Sequence, residues 1–117
     1  MSIEHVLAVV TVTDLDRSRR WYELLFGRAA DNNPMPTLAE WQVVPGGWVQ
    51  VFDDDRRAGS TAVNFAVSDL DADIEELKQR GLEPGEIVEA GKGVRLSALT
   101  DPDGNRVTLI GGFRVQY

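Results

Sequence analysis

The sequence contains no cysteine and only one histidine, His5. The lack of cysteine excludes disulfide bonds, thiolate catalysis and cysteine-liganded zinc, and a single imidazole excludes any chemistry that needs two on one chain. No apolar run is long, since residues 6–10 form the longest and are far too few to span a bilayer. Basic side chains are outnumbered, with 12 Lys and Arg against 19 Asp and Glu and a net charge of −7. This balance argues against nucleic acid as a partner, because phosphate binding needs a basic surface.

The composition is otherwise that of a globular domain. The 117 residues are 43% hydrophobic and 26% charged, which excludes a largely disordered chain and suits one compact domain. The opening residues, Met-Ser-Ile-Glu-His, lack the basic leader of a secretory signal. A cytoplasmic location without membrane contact is therefore expected.

A strand–helix pattern occurs twice. Asp14-Leu15-Asp16 recurs as Asp69-Leu70-Asp71, and each copy follows an apolar run and precedes an amphipathic stretch that ends at a glycine, Gly27 or Gly81. In both copies the first Asp is a candidate helix N-cap. The repetition predicts two half-domain modules, at about residues 3–53 and 61–117, joined by a linker at 53–60 in a single domain spanning 1–117.

Each half reads as a strand, a helix and about three further strands. In the first half we predict a strand at 3–12, a helix from Asp14 to about Phe26, a short strand and then a loop within 28–36, and a hairpin of 37–44 and 48–52. In the second half we predict a strand at 61–67, a helix from Asp69 to Gly81, strands at 83–90, 94–100 and 106–110, and a tight turn at 101–105. The predicted class is α+β, with two βαβββ modules whose sheets form a shared concave cleft and whose helices lie outside.

Three sets of motifs resemble one known family. They are Val-Thr-Asp-Leu-Asp-Arg-Ser at 12–18 with Trp21-Tyr22 and Phe26-Gly27; Val-Ser-Asp-Leu-Asp at 67–71 with Arg80-Gly81; and Asp-Pro-Asp-Gly-Asn-Arg at 101–106. In this order they resemble the vicinal oxygen chelate superfamily, which includes glyoxalase, bleomycin resistance proteins and extradiol dioxygenases. The resemblance implies the two-module fold. It does not select a reaction, because this scaffold serves several chemistries as well as plain binding.

The resemblance also implies where a catalytic metal would lie. Such metalloenzymes carry one ligand, typically His, on the first strand of each half and one, typically Glu, on the last. These positions fall on Leu7, Gln50, Ala62 and Thr108. Leu and Ala offer no lone pair, and a neutral amide and a hydroxyl do not hold a divalent ion without carboxylate or imidazole. We therefore expect no metal and no cofactor, although a register shift would bring His5 towards the ligand position.

Strand alternation then predicts a ligand-binding surface. If Leu7 faces the concavity, so does Thr11, and the same parity aims seven further candidates inward: Ala62, Asn64, Trp48, Gln50, Phe52, Arg106 and Thr108. Rings and neutral polar groups are typical of a small-molecule site, and the buried amides of Gln50 and Asn64 would need ligand or water as partners. Against this, Trp48 and Phe52 also suit a core, Thr11 and Thr108 are ordinary strand residues, and Arg106 suits a rim.

Two functions remain open. The first is a metal-free binding protein of the bleomycin-resistance type that sequesters a small aromatic or cationic molecule in the cleft. The second is a lyase, isomerase or dioxygenase-type enzyme on the same fold, either metal-dependent through an unrecognised site or cofactor-free with His5 as base. By analogy with the family, a homodimer is expected.

Overall fold

The computed structural model describes residues 1–113 and contains two modules of the same topology. The first comprises β1 (Val6–Val12), α1 (Leu15–Phe26), β2 (Asn32–Met35), β3 (Leu38–Val44) and β4 (Gly47–Asp53); the second comprises β5 (Ala62–Val67), α2 (Leu70–Gln79), β6 (Val88–Gly91), β7 (Val94–Thr100) and β8 (Arg106–Gly111). Each module forms a four-stranded mixed sheet, in the order β1-β4-β3-β2 or β5-β8-β7-β6. The predicted α+β class with two βαβββ modules is confirmed.

Both helices begin at the aspartates that the repeat singled out. The side chain of Asp14 accepts a hydrogen bond from the Arg17 amide at 3.2 Å, and that of Asp69 accepts one from the Ala72 amide at 3.0 Å. Each bond satisfies an amide that has no partner within its own helix. α1 ends at Gly27 in the left-handed conformation, whereas the cap of α2 is Arg80 and Gly81 follows it.

Three strand predictions differ from the structure. β1 begins at Val6 rather than residue 3, because its parallel partner β4 starts at Gly47, opposite Val6. Within residues 28–36 the loop comes first and the strand second. The strand predicted at 83–90 forms only from Val88. Pro84 has no amide hydrogen to donate to a ladder, and within residues 83–87, all of them described, the Gly85 amide alone donates to a β7 carbonyl oxygen, that of Ala98 at 2.8 Å.

The helices cover one face of each sheet. In β1, Val10 and Val12 are fully buried, whereas Leu7 and Val9 on the other face are each 47% exposed. In β5, Val63 is buried while its neighbours Ala62 and Asn64 are exposed. We call the uncovered face of each sheet the open face, and it is the face that strand alternation assigned to the ligand. Within residues 1–113, neither helix has the length and apolar character that a membrane crossing requires.

A buried polar network joins the two halves. The Tyr22 hydroxyl on α1 donates to Asp101 Oδ2 at 2.8 Å, across from one module to the other. Asn105 Nδ2 donates to the Thr11 carbonyl oxygen at 2.9 Å, and Asn105 Oδ1 accepts from the Thr61 amide at 2.9 Å. The turn predicted at 101–105 therefore also serves as the joint between the modules.

Candidate functional site

On the first module, the predicted ligand residues share the open face. The parallel register places Leu7 opposite Trp48 and Thr11 opposite Phe52, while Gln50 lies opposite Val9. Trp48, Gln50 and Phe52 are half-buried and separated by the fully covered Val49 and Val51. The two strands therefore present a continuous surface of aliphatic and aromatic groups around one amide.

His5 lies directly before β1 and contacts this surface. The Trp48 indole Nε1 donates to His5 Nδ1 at 3.1 Å, and the ring centroids are 6.4 Å apart in an edge arrangement. Because Nδ1 accepts this bond, the proton of the neutral imidazole lies on Nε2. Neither nitrogen then offers a free lone pair, so the observed contact orients Trp48 rather than presenting a base.

Glu40 is a site residue that the sequence analysis missed. It lies on β3 opposite Gln50, and its Oε2 accepts from Gln50 Nε2 at 2.8 Å while its Oε1 accepts from Asn32 Nδ2 at 3.0 Å. The carboxylate fixes the Gln50 amide and brings a negative charge to the open face. Strand alternation could have located Glu40, because Ala39 and Trp41 on either side of it are buried and Glu40 must then face the opposite way. We applied alternation only to the first and last strands of each half, and β3 is neither.

The second module places its candidates in a matching arrangement. Asn64 lies opposite Thr108, and Ala62 lies opposite Arg106, on the parallel pair of β5 and β8. Asn64 and Arg106 are exposed, whereas Thr108 is buried. The expectation that Asn64 is a buried amide is wrong, because its strand lies at the edge of the sheet. Burial is therefore no argument for a ligand at Asn64.

Thr11 lies where the two halves meet. Its hydroxyl donates to the Arg57 carbonyl oxygen at 2.7 Å, and the side chain is buried. This hydrogen bond ties β1 to the segment that leads into the second module. A ligand on the open face would reach Thr11 through its methyl group, since the hydroxyl hydrogen is already engaged.

A separate groove lies on the helix-covered side, between the two halves. It encloses about 440 Å³, and Asn64 is the one predicted site residue in its lining. A second groove is lined by Trp21 and Leu82 among others. Neither groove includes Trp48, Gln50 or Phe52, so the open face of the first module is not part of either cavity.

The amino-acid sequence matches the family model described as "Glyoxalase/Bleomycin resistance protein/Dioxygenase superfamily" over residues 2–109. The chain belongs to this superfamily. A search of curated proteins gave no match.

Several solved structures share the fold. A glyoxalase/bleomycin resistance protein from Catenulispora acidiphila is 29% identical, with 92% of this chain and 96% of that chain covered and a TM-score of 0.86. TnmS3, an antibiotic-binding protein from a Streptomyces species, is 24% identical, with coverage of 95% and 98% and a TM-score of 0.74. A lactoylglutathione lyase from Agrobacterium tumefaciens is 18% identical, with coverage of 92% of both chains and a TM-score of 0.74.

The residues at the superfamily's metal-ligand positions do not fit a divalent ion. Leu7 and Ala62 offer only hydrocarbon, and the Gln50 amide is held by Glu40. Thr108 lies beside Asn64 rather than beside a carboxylate. Among residues 1–113, no three His, Asp or Glu side chains are grouped closely enough to hold a metal. We therefore derive no chemistry through a metal at these positions.

Proposed function

We propose that this protein binds a small aromatic or cationic organic molecule on the open face without a metal. The observation that carries the proposal is the solvent exposure of Leu7 and Val9, each 47%, beside the half-buried ring of Trp48. An exposed apolar surface on β1, beside the Trp48 ring of β4, is costly to leave in water and is typical of a recognition site. Binding of an apolar ring would remove this surface from water.

The polar groups of the surface favour a cation or a hydrogen-bond donor. Glu40 supplies a carboxylate that is only half-buried, and Gln50 Nε2 already donates to it. The carbonyl oxygen of Gln50 and the second lone pairs of Glu40 are acceptors. The rings of Trp48 and Phe52 add a face to which cations are attracted.

The second module would complete the site in one of two ways. Asn64, Thr108 and Arg106 lie on β5 and β8, and Thr11 lies on β1 where the two halves meet. We propose that they contact the ligand from this side, or from a second copy of the chain in a homodimer. The exposed apolar side chains of β1 support pairing between copies, and we further propose a cytoplasmic location.

The histidine geometry favours binding over catalysis, and one structural neighbour is itself a binding protein. TnmS3, which has the same fold, is named an antibiotic-binding protein. His5, the one candidate base, uses Nδ1 to accept from Trp48. The sequestration of an antibiotic or a similar aromatic compound is therefore a better-supported role than base catalysis.

A thermal-shift screen tests the proposal with a panel of aromatic antibiotics and aromatic amines. Binding to the folded state raises the melting temperature, and calorimetry then gives the Kd of each hit. We expect Trp48→Ala to weaken a hit about tenfold or more, because truncating a central aromatic residue removes most of its contact surface. Glu40→Gln should weaken cationic hits and leave neutral ones unchanged.

Trp21→Ala is the matched control, because Trp21 is also a half-buried tryptophan but lies on α1, beside the second groove. Its affinity for the hit should equal that of the unmodified protein. The proposal is wrong if no compound of the panel raises the melting temperature, or if Trp48→Ala binds as tightly as Trp21→Ala.

A further inference from the structure

The groove on the helix-covered side lies at the boundary of the two modules. The C-terminal end of α1 and the part of α2 from Asp73 onward form one wall, β5 forms another, and the end of β3 closes it. Its volume of about 440 Å³ is that of a small-molecule site. Trp48 lies on the open face of the first sheet, on the opposite side from the helices, so the groove and the proposed open-face site are separate.

The floor of this groove is aromatic and aliphatic. Phe26 of α1 and Phe65 of β5 meet edge to face, with ring centroids 5.8 Å apart at 82°. Leu77 and Leu109 line the same groove from α2 and β8. Both phenylalanines are only half-buried, so their rings remain available to a further apolar group.

In the described part of the chain, the α2 wall of the groove carries three charged side chains, and two of them, Glu76 and Arg80, form an ion pair. Arg80 Nη1 donates to the carbonyl oxygens of Leu24 and Leu25, at 3.1 and 3.2 Å, and its Nη2 donates to Glu76 Oε1 at 2.8 Å. The guanidinium is thus engaged by Glu76 and by the C-terminal end of α1, whose last turn holds no basic residue of its own. Both terminal nitrogen atoms of Arg80 therefore already donate hydrogen bonds, so the guanidinium is poorly placed to bind another anion.

Asp73 lines the same groove one turn before Glu76. Among residues 1–113, no side chain forms a hydrogen bond or ion pair with its carboxylate. Partial burial raises the pKa of Asp73 first, and the neighbouring negative charges of Glu76 and Asp69 raise it further, against the opposing effect of Arg80. With two carboxylates against one guanidinium, the lining of the groove carries an excess negative charge beside an apolar floor.

We propose that this groove is a second binding site, for an organic ammonium ion that bears an aromatic ring or a branched alkyl group. The apolar part packs on Phe26 and Phe65, and the ammonium group donates hydrogen bonds to Asp73. Anions are disfavoured because the guanidinium of Arg80 is already engaged. A neutral molecule of the same shape gains the apolar contact and can donate to Asp73, but it lacks the attraction between two opposite charges.

Three probes of similar shape separate the contributions: 2-phenylethylamine, 2-phenylethanol and phenylacetate. Each is titrated into the ¹⁵N-labelled full chain, and amide chemical shifts locate the binding. We expect the amine to shift amides of β5 and of α2 around Asp73–Arg80. The alcohol should bind about tenfold more weakly, because its hydroxyl group can still donate to Asp73 but carries no positive charge. Phenylacetate should bind most weakly of all.

Asp73→Asn removes the charge with little change of shape and should reduce the affinity for the amine to that for the alcohol. Glu75→Gln is the matched control, since Glu75 is exposed on the same helix and lies outside the groove lining. Asp73→Asn relieves repulsion with Glu76 and Asp69, so the variant should fold.

The proposal is overturned by any of three results: the amine shifts no amide of the groove, the amine and the alcohol bind equally, or Asp73→Asn binds the amine as well as Glu75→Gln does. Trp48→Ala distinguishes this site from the open-face site, because it should leave amine binding at the groove unchanged.

Discussion

The Tyr22 hydroxyl group forms one of the buried hydrogen bonds between the two modules. Tyr22 is 1% exposed, and the only hydrogen bond of its side chain in the described part of the chain is the one to Asp101. Asp101 also accepts from the Asn105 side chain at 2.8 Å and from the backbone amides of Asp103 and Asn105. Removal of one donor from this group therefore leaves a buried carboxylate less well satisfied.

We expect Tyr22→Phe to lower the free energy of unfolding by about 1–3 kcal/mol, the usual cost of leaving a buried acceptor short of a donor. Urea unfolding followed by circular dichroism measures the change. Ser60→Ala is the control, because it removes an exposed hydroxyl that donates to Arg57 at 2.7 Å and should cost less than about 0.5 kcal/mol. Equal costs for the two variants would contradict the importance of the buried bond.

The raised pKa of Tyr22 predicts that the free energy of unfolding decreases at alkaline pH. Burial raises the pKa of Tyr22 above its usual value, and the carboxylate of Asp101 raises it further. The neutral hydroxyl thus stabilises the folded state fully below the unfolded-state pKa of about 10, and this contribution is lost as the pH rises above it. The stability difference between the protein and Tyr22→Phe should shrink between about pH 9.5 and 11. A constant difference over this range would contradict the assignment.

At the scale of elements, the ends of the two helices differ although their starts are alike. Gly27 and Gly81 both have positive φ, of 75° and 93°. A Cβ atom at Gly27 would lie 2.7 Å from Arg80 Nη2, whereas one at Gly81 would meet no atom within 4 Å. The repeat in the sequence aligns the two glycines, but only the first faces a side chain of the other module.

We expect Gly81→Ala to cost about 1 kcal/mol, from the left-handed backbone alone. Gly27→Ala should cost about 1 kcal/mol more, because it displaces Arg80 from the carbonyl oxygens of Leu24 and Leu25. Urea unfolding of both variants, with and without Arg80→Ala, measures the coupling. With Arg80 truncated, the two glycine substitutions should cost the same; an unchanged difference would refute the role of Arg80.

At the scale of the whole molecule, β1 leaves apolar side chains uncovered. Val6 is 70% exposed and Val9 is 47% exposed, on a strand that hydrogen-bonds to β4 on one side only. Burial of this strand against a second copy would remove its apolar surface from water. The proposed homodimer follows from this feature and from the family.

Light scattering during size exclusion should give twice the chain mass of 12.9 kDa. Val6→Lys should shift the protein towards the monomer, because it places a charge in the proposed contact at a residue outside the proposed ligand surface. Val88→Lys, at a 58% exposed valine of β6, should leave the mass unchanged. A monomeric mass for the unmodified protein at high concentration would rule out the dimer.

Much of the fold could be predicted from the sequence. The repeated Asp-Leu-Asp motif located both helix starts, and the alternation of Leu7, Thr11, Trp48, Gln50 and Phe52 assigned them to one face. The short strands β2 and β6 were placed less well. Each is held by its partner strand rather than by its own residues, and β2 and β6 contain Pro34 and Gly91.

The sequence by itself determined the duplicated α+β architecture and the residues of each sheet face, because N-caps, glycine stops and alternation act between near neighbours in the chain. Only the tertiary structure decided that Glu40 holds Gln50, that His5 orients Trp48, and that Asp73 lines a groove with Phe26. These pairs lie on different elements, so their contacts depend on strand order and on how the two modules pack. No local pattern encodes that arrangement.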